Sequence, residues 1–340
     1  MDLYKDIISE MQTQGYEVDF IPEGKYLQDP NNIRGYKGLK RILFVHPQKF
    51  DFFLQKKWGN VLAEERFSKV YDILFVLDGQ SIHPCVFEIL KKRNPELYAV
   101  NYLFDTTSGV YRFDVNFKYF NRIFSFDNTD VQKFGLNFLP IYWAPQKKEK
   151  KELDVFGLGR YSEERHKLFS ELKSICEKNK LTYMLKLGTD KRDFSFMACL
   201  KWVICKLIGK TKGRISPQFK DSPLNTFENI SPKEFRLLIA RSEIVVDTSA
   251  PHQDGLTARF MWALGLRKKI ITTNQSVEKY DFYSPEQIFI VKKELEQSES
   301  FFKFLDSSYE MPLSVQEKVN RYMLSNWLRF VLDPMYDQAC

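Results

Sequence analysis

The sequence predicts an α/β protein built from two Rossmann-like domains. Short β-branched and aromatic runs alternate along the chain with longer segments of helical periodicity, the pattern of parallel strands joined by crossover helices. A charged, aperiodic stretch at 144–153, APQKKEKKEL, interrupts that alternation near the middle and marks a boundary. The length of 340 residues also exceeds what one typical core accommodates. The expected division is a first domain at 1–143, a linker at 144–153, a second domain at 154–314, and a C-terminal helix and tail at 315–340.

In chain order, residues 2–14 have helical spacing with Gly15 suited to the C-cap, and residues 16–21 read as a strand. Residues 40–46, KRILFVH, fit either a strand or a helical segment. A helix is expected over 50–71, a buried strand over 72–77, a helix over 84–94, and strands over 97–104 and 122–126. After the linker, residues 153–156 form a strand, Gly157-Leu158-Gly159 a turn, and 162–178 a helix. Ser231-Pro232-Lys233-Glu234 is a capping box with proline at the first helical position. The helix it opens leads to a strand at 244–246, a polar loop, a helix over 257–266 and a strand over 269–273. An amphipathic stretch at 315–331 follows the second domain.

Composition narrows the partners. The chain carries 51 Lys and Arg against 44 Asp and Glu, a net charge of +7, which favours nucleotide diphosphates, phospholipid headgroups or nucleic acid. No RNA- or DNA-binding motif accompanies the charge, so no nucleic-acid partner is expected. The five cysteines are odd in number and show no C-x-x-C spacing, which argues against a disulfide framework or a zinc site and for a cytoplasmic location. The N-terminal MDLYKDIISEM lacks the apolar core of a signal peptide. The apolar stretch at 194–209 is broken by Lys201 and Lys206 and is too short to span a bilayer. Across 191–220, apolar residues and Trp202 interleave with Lys201, Lys206, Lys210, Lys212 and Arg214. That pattern reads either as an interfacial helix on an anionic membrane surface or as a core-facing helix with a basic rim.

The strongest chemical signal is 242–274. The loop DTSAPHQDGLT joins a strand end to a helix start, where free N–H groups and the helix dipole favour a phosphate. Arg259 falls in the first helical turn, where its guanidinium can grip the same anion.

The segment PHQDGLTAR followed by KKIITTN resembles the donor-site segment of a family of bacterial lipopolysaccharide and capsular polysaccharide glycosyltransferases with GT-B-like architecture. The resemblance extends through YLFD (102–105), RIFSFD (122–127) and YDFY (280–283). It implies two Rossmann-like domains facing a central cleft, with the C-terminal helix crossing back to the first domain, a nucleotide-sugar donor, a glycan or lipid-linked glycan acceptor, and no cofactor or metal. It also implies a peripheral site on the inner face of the plasma membrane. Members begin with a strand and loop before the first helix; here the first strand is missing or supplied by 40–46.

Together, spacing and resemblance assign donor contacts. His252 and Gln253 would meet the diphosphate or nucleotide, Gly255 and Leu256 would bring backbone close, Thr257 would donate its hydroxyl, and Arg259 would offset charge on the leaving group. Gly157, Gly159 and Arg160 either offer N–H groups to a phosphate or make a plain tight turn. Arg165 matches an arginine of the family, or else forms a surface ion pair. The resemblance implies a glutamate for the ribose hydroxyls where this chain has Trp262; either another group such as Glu278 holds the ribose, or donor binding is altered or activity lost.

At the end of the strand AVNYLFD, Asp105 is either the base that deprotonates an acceptor hydroxyl or a turn aspartate. His83 is the competing base, or a turn histidine before Pro84. Asp127 and Asp130 fall short of a metal ligand set and read as helix caps. The functional expectation is a glycosyltransferase. The rival classes are a catalytically silent nucleotide- or glycan-binding partner in an assembly complex, and another nucleotide-dependent enzyme such as a sugar-nucleotide epimerase.

Overall fold

A computed structural model describes residues 3–21, 69–79, 82–107, 113–147, 149–207, 215–228, 230–249, 253–292 and 294–334. The chain forms two compact units, one comprising 2–141 with 324–340 and the other 142–323. Each is a parallel α/β sheet, as the alternation of apolar runs requires.

The N-terminal unit contains α1 (Leu3–Thr13), β1 (Ile73–Leu77), α2 (Pro84–Arg93), β2 (Tyr98–Leu103), β3 (Arg122–Ser125), α3 (Asn128–Phe134) and β4 (Asn137–Phe138). Its sheet runs β1-β2-β3-β4, with every neighbouring pair parallel. Gly15 takes φ +93° after α1, the left-handed C-terminal position that glycine fills without strain. The strand expected at 16–21 is absent. Those residues have no strand partner among the described residues; Phe20 stacks on Tyr4 at 5.0 Å, and Ile21 packs on the Cys85–Leu97 core. The strand or helical segment expected at 40–46 lies outside the described residues. So does the helix expected at 50–71 except for 69–71, which are not helical.

The C-terminal unit contains β5 (Leu153–Arg160), α4 (Glu163–Lys178), β6 (Tyr183–Gly188), α5 (Phe196–Leu207), β7 (Asn225–Thr226), α6 (Pro232–Ala240), β8 (Ser242–Asp247), α7 (Ala258–Gly265), β9 (Lys269–Thr272), β10 (Ile288–Ile290), α8 (Glu299–Asp306) and α9 (Leu313–Asn320). Strand order is β10-β9-β8-β5-β6-β7, again parallel throughout. The central strands are buried on both faces, as their unbroken apolar runs dictate.

Two local elements of this half differ from the sequence expectation. The turn expected at 157–159 is strand: β5 continues to Arg160, and Gly157 pairs with Leu185 on one side and Val246 on the other. Glycine is needed there for packing, because a Cβ would lie 2.8 Å from Phe169 Cζ and 2.9 Å from Leu185 Cδ2. The single helix expected at 315–331 is two, α9 and α10 (Leu324–Leu332). Between them Trp143 intervenes, its backbone N–H donating to Tyr322 O at 2.9 Å and its indole N–H to Val319 O at 2.9 Å. The break coincides with the division between units: α9 belongs to the C-terminal unit and α10 to the N-terminal one. There Trp327 of α10 donates to Pro140 O at 3.0 Å and its ring meets Tyr102 edge-on at 4.7 Å.

Candidate functional site

In the C-terminal unit, β5 and β8 are neighbours, and each runs into a helix at its carboxyl end. Ser162 caps α4, accepting from Arg165 N at 3.2 Å; Thr257 caps α7, accepting from Phe260 N at 3.2 Å. Two arginines converge on this edge. From the first turn of α4, Arg165 donates through Nε to Thr248 Oγ1, through Nη2 to Thr248 O at 3.2 Å, and through Nη1 to Arg160 O. Gly159 makes room for it: a Cβ there would lie 3.0 Å from Arg165 Cδ.

Arg259 reaches back from α7 to the end of β8. Its Nη1 donates to Val246 O at 3.3 Å, and its Nε lies 3.7 Å from Asp247 Oδ1. The Arg259 side chain is 13% exposed and that of Asp247 1%. Asp247 Oδ1 also accepts the Thr257 hydroxyl at 2.6 Å, so that hydroxyl's proton is directed at the strand end. Among the described residues, neither Arg259 Nε nor Asp247 Oδ2 has a hydrogen-bond partner.

The charge is imbalanced. Burial, followed by the nearness of Arg259, holds the Arg165 guanidinium below its ordinary pKa. Burial does the same to Arg259, against the pull of Asp247. A cation in the first turn of a helix also opposes the helix dipole. Two guanidiniums and two helix N-termini thus crowd one buried carboxylate, Asp247, with exposed Glu164 a further charge near Arg165; an anion would relieve that edge.

The connecting loop is fastened from β9. Asn274 donates to Asp254 O and Gly255 O, at 3.2 Å each, and accepts from Ser276 N at 2.9 Å; Ser276 Oγ bonds Asp254 Oδ1. Gln253 Nε2 donates to Gly255 O at 3.3 Å, Gly255 is buried, and Leu256 is a core side chain. His252 lies outside the described residues. Trp262 is 3% exposed, against Phe235 and beneath the Arg236 guanidinium at 5.3 Å. Glu278 forms an ion pair with Lys292 at 2.8 Å.

The equivalent edge of the N-terminal unit is acidic. Asp78 follows β1 with a left-handed backbone, φ +59°, and its Oδ1 accepts from Phe104 N at 2.7 Å and Asp105 N at 3.2 Å. Among the described residues nothing bonds Oδ2. Burial pushes the Asp78 carboxyl up to about 6, with the neighbouring Asp105 adding to the rise against the two backbone donors. Asp105 itself is exposed. Two buried asparagines hold the loop after β1: Asn101 donates to Asp78 O at 3.2 Å, and Asn116 to Gly79 O at 3.1 Å and Ile82 O at 2.7 Å. His83 caps α2, its Nδ1 accepting from Cys85 N at 3.2 Å.

Asp127 caps α3, accepting from Thr129 N and Asp130 N, while Asp130 accepts from Thr107 N at 2.8 Å. Among the described residues, no three His, Cys, Asp or Glu side chains converge as a metal ligand set.

Residue-by-residue reading of the sequence missed Asp78, Asp247, Thr248 and Asn274 as site residues. For Asp78 and Asp247 the available signal was a lone carboxylate at the end of a buried strand, the same signal that singled out Asp105.

No protein-family model matches this chain, and no curated protein matches it. Among solved structures, the Candida albicans trehalose-6-phosphate phosphatase N-terminal domain is similar over 95% of this chain and 84% of that one, at 12% identity and a TM-score of 0.51. A UDP-forming α,α-trehalose-phosphate synthase from Burkholderia xenovorans, in complex with glucose-6-phosphate, is similar over 85% and 79%, at 14% identity and a TM-score of 0.48. The Glycosylation Associate Protein (Gap123) complex from Streptococcus agalactiae is similar over 87% and 61%, at 10% identity and a TM-score of 0.43. At such identity the likeness is one of fold: the first of these shares the α/β architecture along nearly the whole chain.

Proposed function

We propose that this protein is a glycosyltransferase of the lipopolysaccharide and capsular polysaccharide kind, with GT-B-like architecture. It takes a sugar from a nucleotide-sugar donor and passes it to a cell-envelope glycan or lipid-linked glycan at the cytoplasmic face of the membrane. The observation that carries this reading is the convergence of Arg165 and Arg259, from two different helices, on one sheet edge beside the buried carboxylate of Asp247.

Chemically, glycosyl transfer leaves charge on the departing diphosphate, and fixed guanidiniums and helix N-termini stabilise that charge without reorganising. Arg165 and Arg259 fill this role, with His252, Gln253 and Gly255 lending donors from the loop and Gly159 and Arg160 the strand end. Asp247, Thr257 and Asn274 position the arginine and the loop. Glu278, exposed beside Lys292, is the candidate for the ribose hydroxyls.

The acceptor end falls to the N-terminal unit. Asp105 is exposed, and Asp78 has a carboxyl near 6 with Oδ2 unoccupied by any described group. A base with a pKa that close to neutrality takes a hydroxyl proton more readily than an ordinary carboxylate. Asp78 is accordingly the base in this reading, its pKa held high chiefly by burial, with Asp105 adding to the rise. His83 serves as a cap.

The test is incubation with UDP-, GDP-, CMP- and ADP-sugars and analysis of products. Release of one nucleotide with sugar transferred or hydrolysed supports the proposal; an isomerised sugar nucleotide would instead indicate an epimerase. A second reading, a catalytically silent binding partner in a polysaccharide assembly complex, is favoured by Trp262, which occupies with a packed ring the place of a ribose-binding glutamate. Nucleotide binding without any turnover would select it.

A further inference from the structure

We infer that the solvent-facing side of α5 is a docking surface for an anionic lipid bilayer. Phe196, Met197, Leu200, Val203, Ile204 and Leu207 recur at i, i+1, i+4, i+7, i+8 and i+11, which places them along one face of the helix. All six are exposed, Phe196 and Leu207 to 81% each. Ala198, Cys199, Trp202 and Cys205, on the other side, are half-buried. A helix of a water-soluble surface turns its apolar stripe inward; this one turns it outward, and a contiguous exposed stripe of this kind marks an interaction site. The apolar surface continues past the helix, since exposed Phe227 meets Phe194 edge-on at 6.4 Å.

Charge identifies the occupant. Residues 194–220 contain six Lys and Arg and no Asp or Glu. Lys206 Nζ sits 5.0 Å over the Trp202 ring, so a cation and an amphipathic aromatic lie together beside the stripe. A second copy of the chain would set these basic stretches against each other across a two-fold axis. A bilayer satisfies both features at once, with hydrocarbon for the stripe and anionic headgroups for the basic residues. The 12-residue helix is about 18 Å long, at about 1.5 Å per residue, and so lies flat at the level of the headgroups. No helix of the described residues is long and apolar enough to cross a membrane, which is consistent with lying on rather than spanning. This inference shares no residue with the nucleotide site, so either can fail without the other.

The experiment is co-sedimentation of the full chain with vesicles of phosphatidylcholine alone or mixed equally with phosphatidylglycerol, at low and high salt. The wild type is expected to sediment with the mixed vesicles. That partition should fall at least about tenfold on neutral vesicles, in high salt, or with the double substitution Leu200→Glu/Ile204→Glu. Leu313→Glu, at a residue 76% exposed on α9, is expected to sediment as the wild type does. Thermal melts of all variants should match, because every substituted position faces solvent. Failure to sediment with either vesicle would overturn the inference, as would sedimentation that survives the double substitution. A dimer that the double substitution dissociates, with no vesicle binding, would overturn it in favour of self-association.

Discussion

The two sheets end in opposite chemistry. Where β5 and β8 run out, the C-terminal unit presents Arg165 and Arg259 at two helix N-termini, with Asp247 the buried carboxylate beside them and exposed Glu164 a further charge near Arg165. Where β1 and β2 run out, the N-terminal unit presents Asp78 beside Asp105, with no cation paired to either among the described residues, and the carboxyl of Asp78 rises to about 6. Both edges are built the same way, from a buried parallel strand, a loop pinned by buried asparagines and a capped helix. The construction brings side chains to an edge, and the sign of the charge placed there decides whether the edge suits a phosphate or a proton.

The sharpest way to break the comparison is at Asp78. Asparagine tolerates a left-handed backbone and keeps an oxygen for the Phe104 and Asp105 N–H groups, while removing basicity. Asp78→Asn should therefore lower turnover by roughly 10²–10⁴-fold with nucleotide affinity unchanged, read from steady-state kinetics beside a binding titration. Equal loss of both would mean that the residue holds the fold and not the proton.

The same carboxyl makes a prediction about pH. Its folded pKa, about 6, stands above the ordinary 3.8 of an aspartate, so between these values the native state retains a proton that the unfolded chain has released. The stability associated with it is fully present below pH 3.8 and is lost as pH rises through about 6. The loss is at most about 3 kcal/mol, at about 1.4 kcal/mol per pKa unit. Denaturant melts between these pH values should show that slope in the wild type and lack it in Asp78→Asn.

The basic edge is tested by Arg165→Ala. Its partners, Thr248 and the Arg160 carbonyl, are neutral, so no buried charge is stranded by the change. Nucleoside diphosphate affinity should fall by about 1.5–3 kcal/mol, the range for a charge-assisted hydrogen bond. A pair of glycines separates packing from binding within the same strand. Gly157→Ala forces a methyl against Phe169 and Leu185 in the core and should cost about 1–3 kcal/mol of stability. Gly159→Ala meets only the flexible Arg165 side chain, so its effect should appear in nucleotide affinity more than in the melt. Smallest of all, His83→Ala removes a helix cap and should cost about 1 kcal/mol while leaving turnover intact. A large loss of turnover would reinstate His83 as the base.

Much of the fold could be read in the chain because parallel strands buried on both faces leave conspicuous apolar runs: β2, β3, β8 and β9 stand within a residue or two of expectation, as does β1, which is half-buried rather than the buried strand expected at 72–77. The failures have local causes. Residues 16–21 are strand-like in composition but have no strand partner among the described residues, and propensity alone makes no strand. The Gly157–Gly159 pair resembles a turn, yet the glycines answer to neighbouring side chains that sequence spacing does not reveal. The helix break at 321–323 depends on Trp143, far away in sequence. At the candidate site, Arg259 was legible from its place in a first helical turn and Arg165 from the family resemblance. Asp78 and Asn274 were not, because what distinguishes them is burial and a partner brought in by the sheet order.

The most direct test of the charged-edge account is isothermal titration of the folded chain with UDP, GDP, CMP and ADP, beside Arg165→Ala and Arg259→Ala. The account predicts that one nucleotide binds and that each substitution weakens it at least about tenfold, with Asp78→Asn binding as tightly as the wild type. A folded wild-type chain that binds none of the four, or binds one equally well without either arginine, would contradict it.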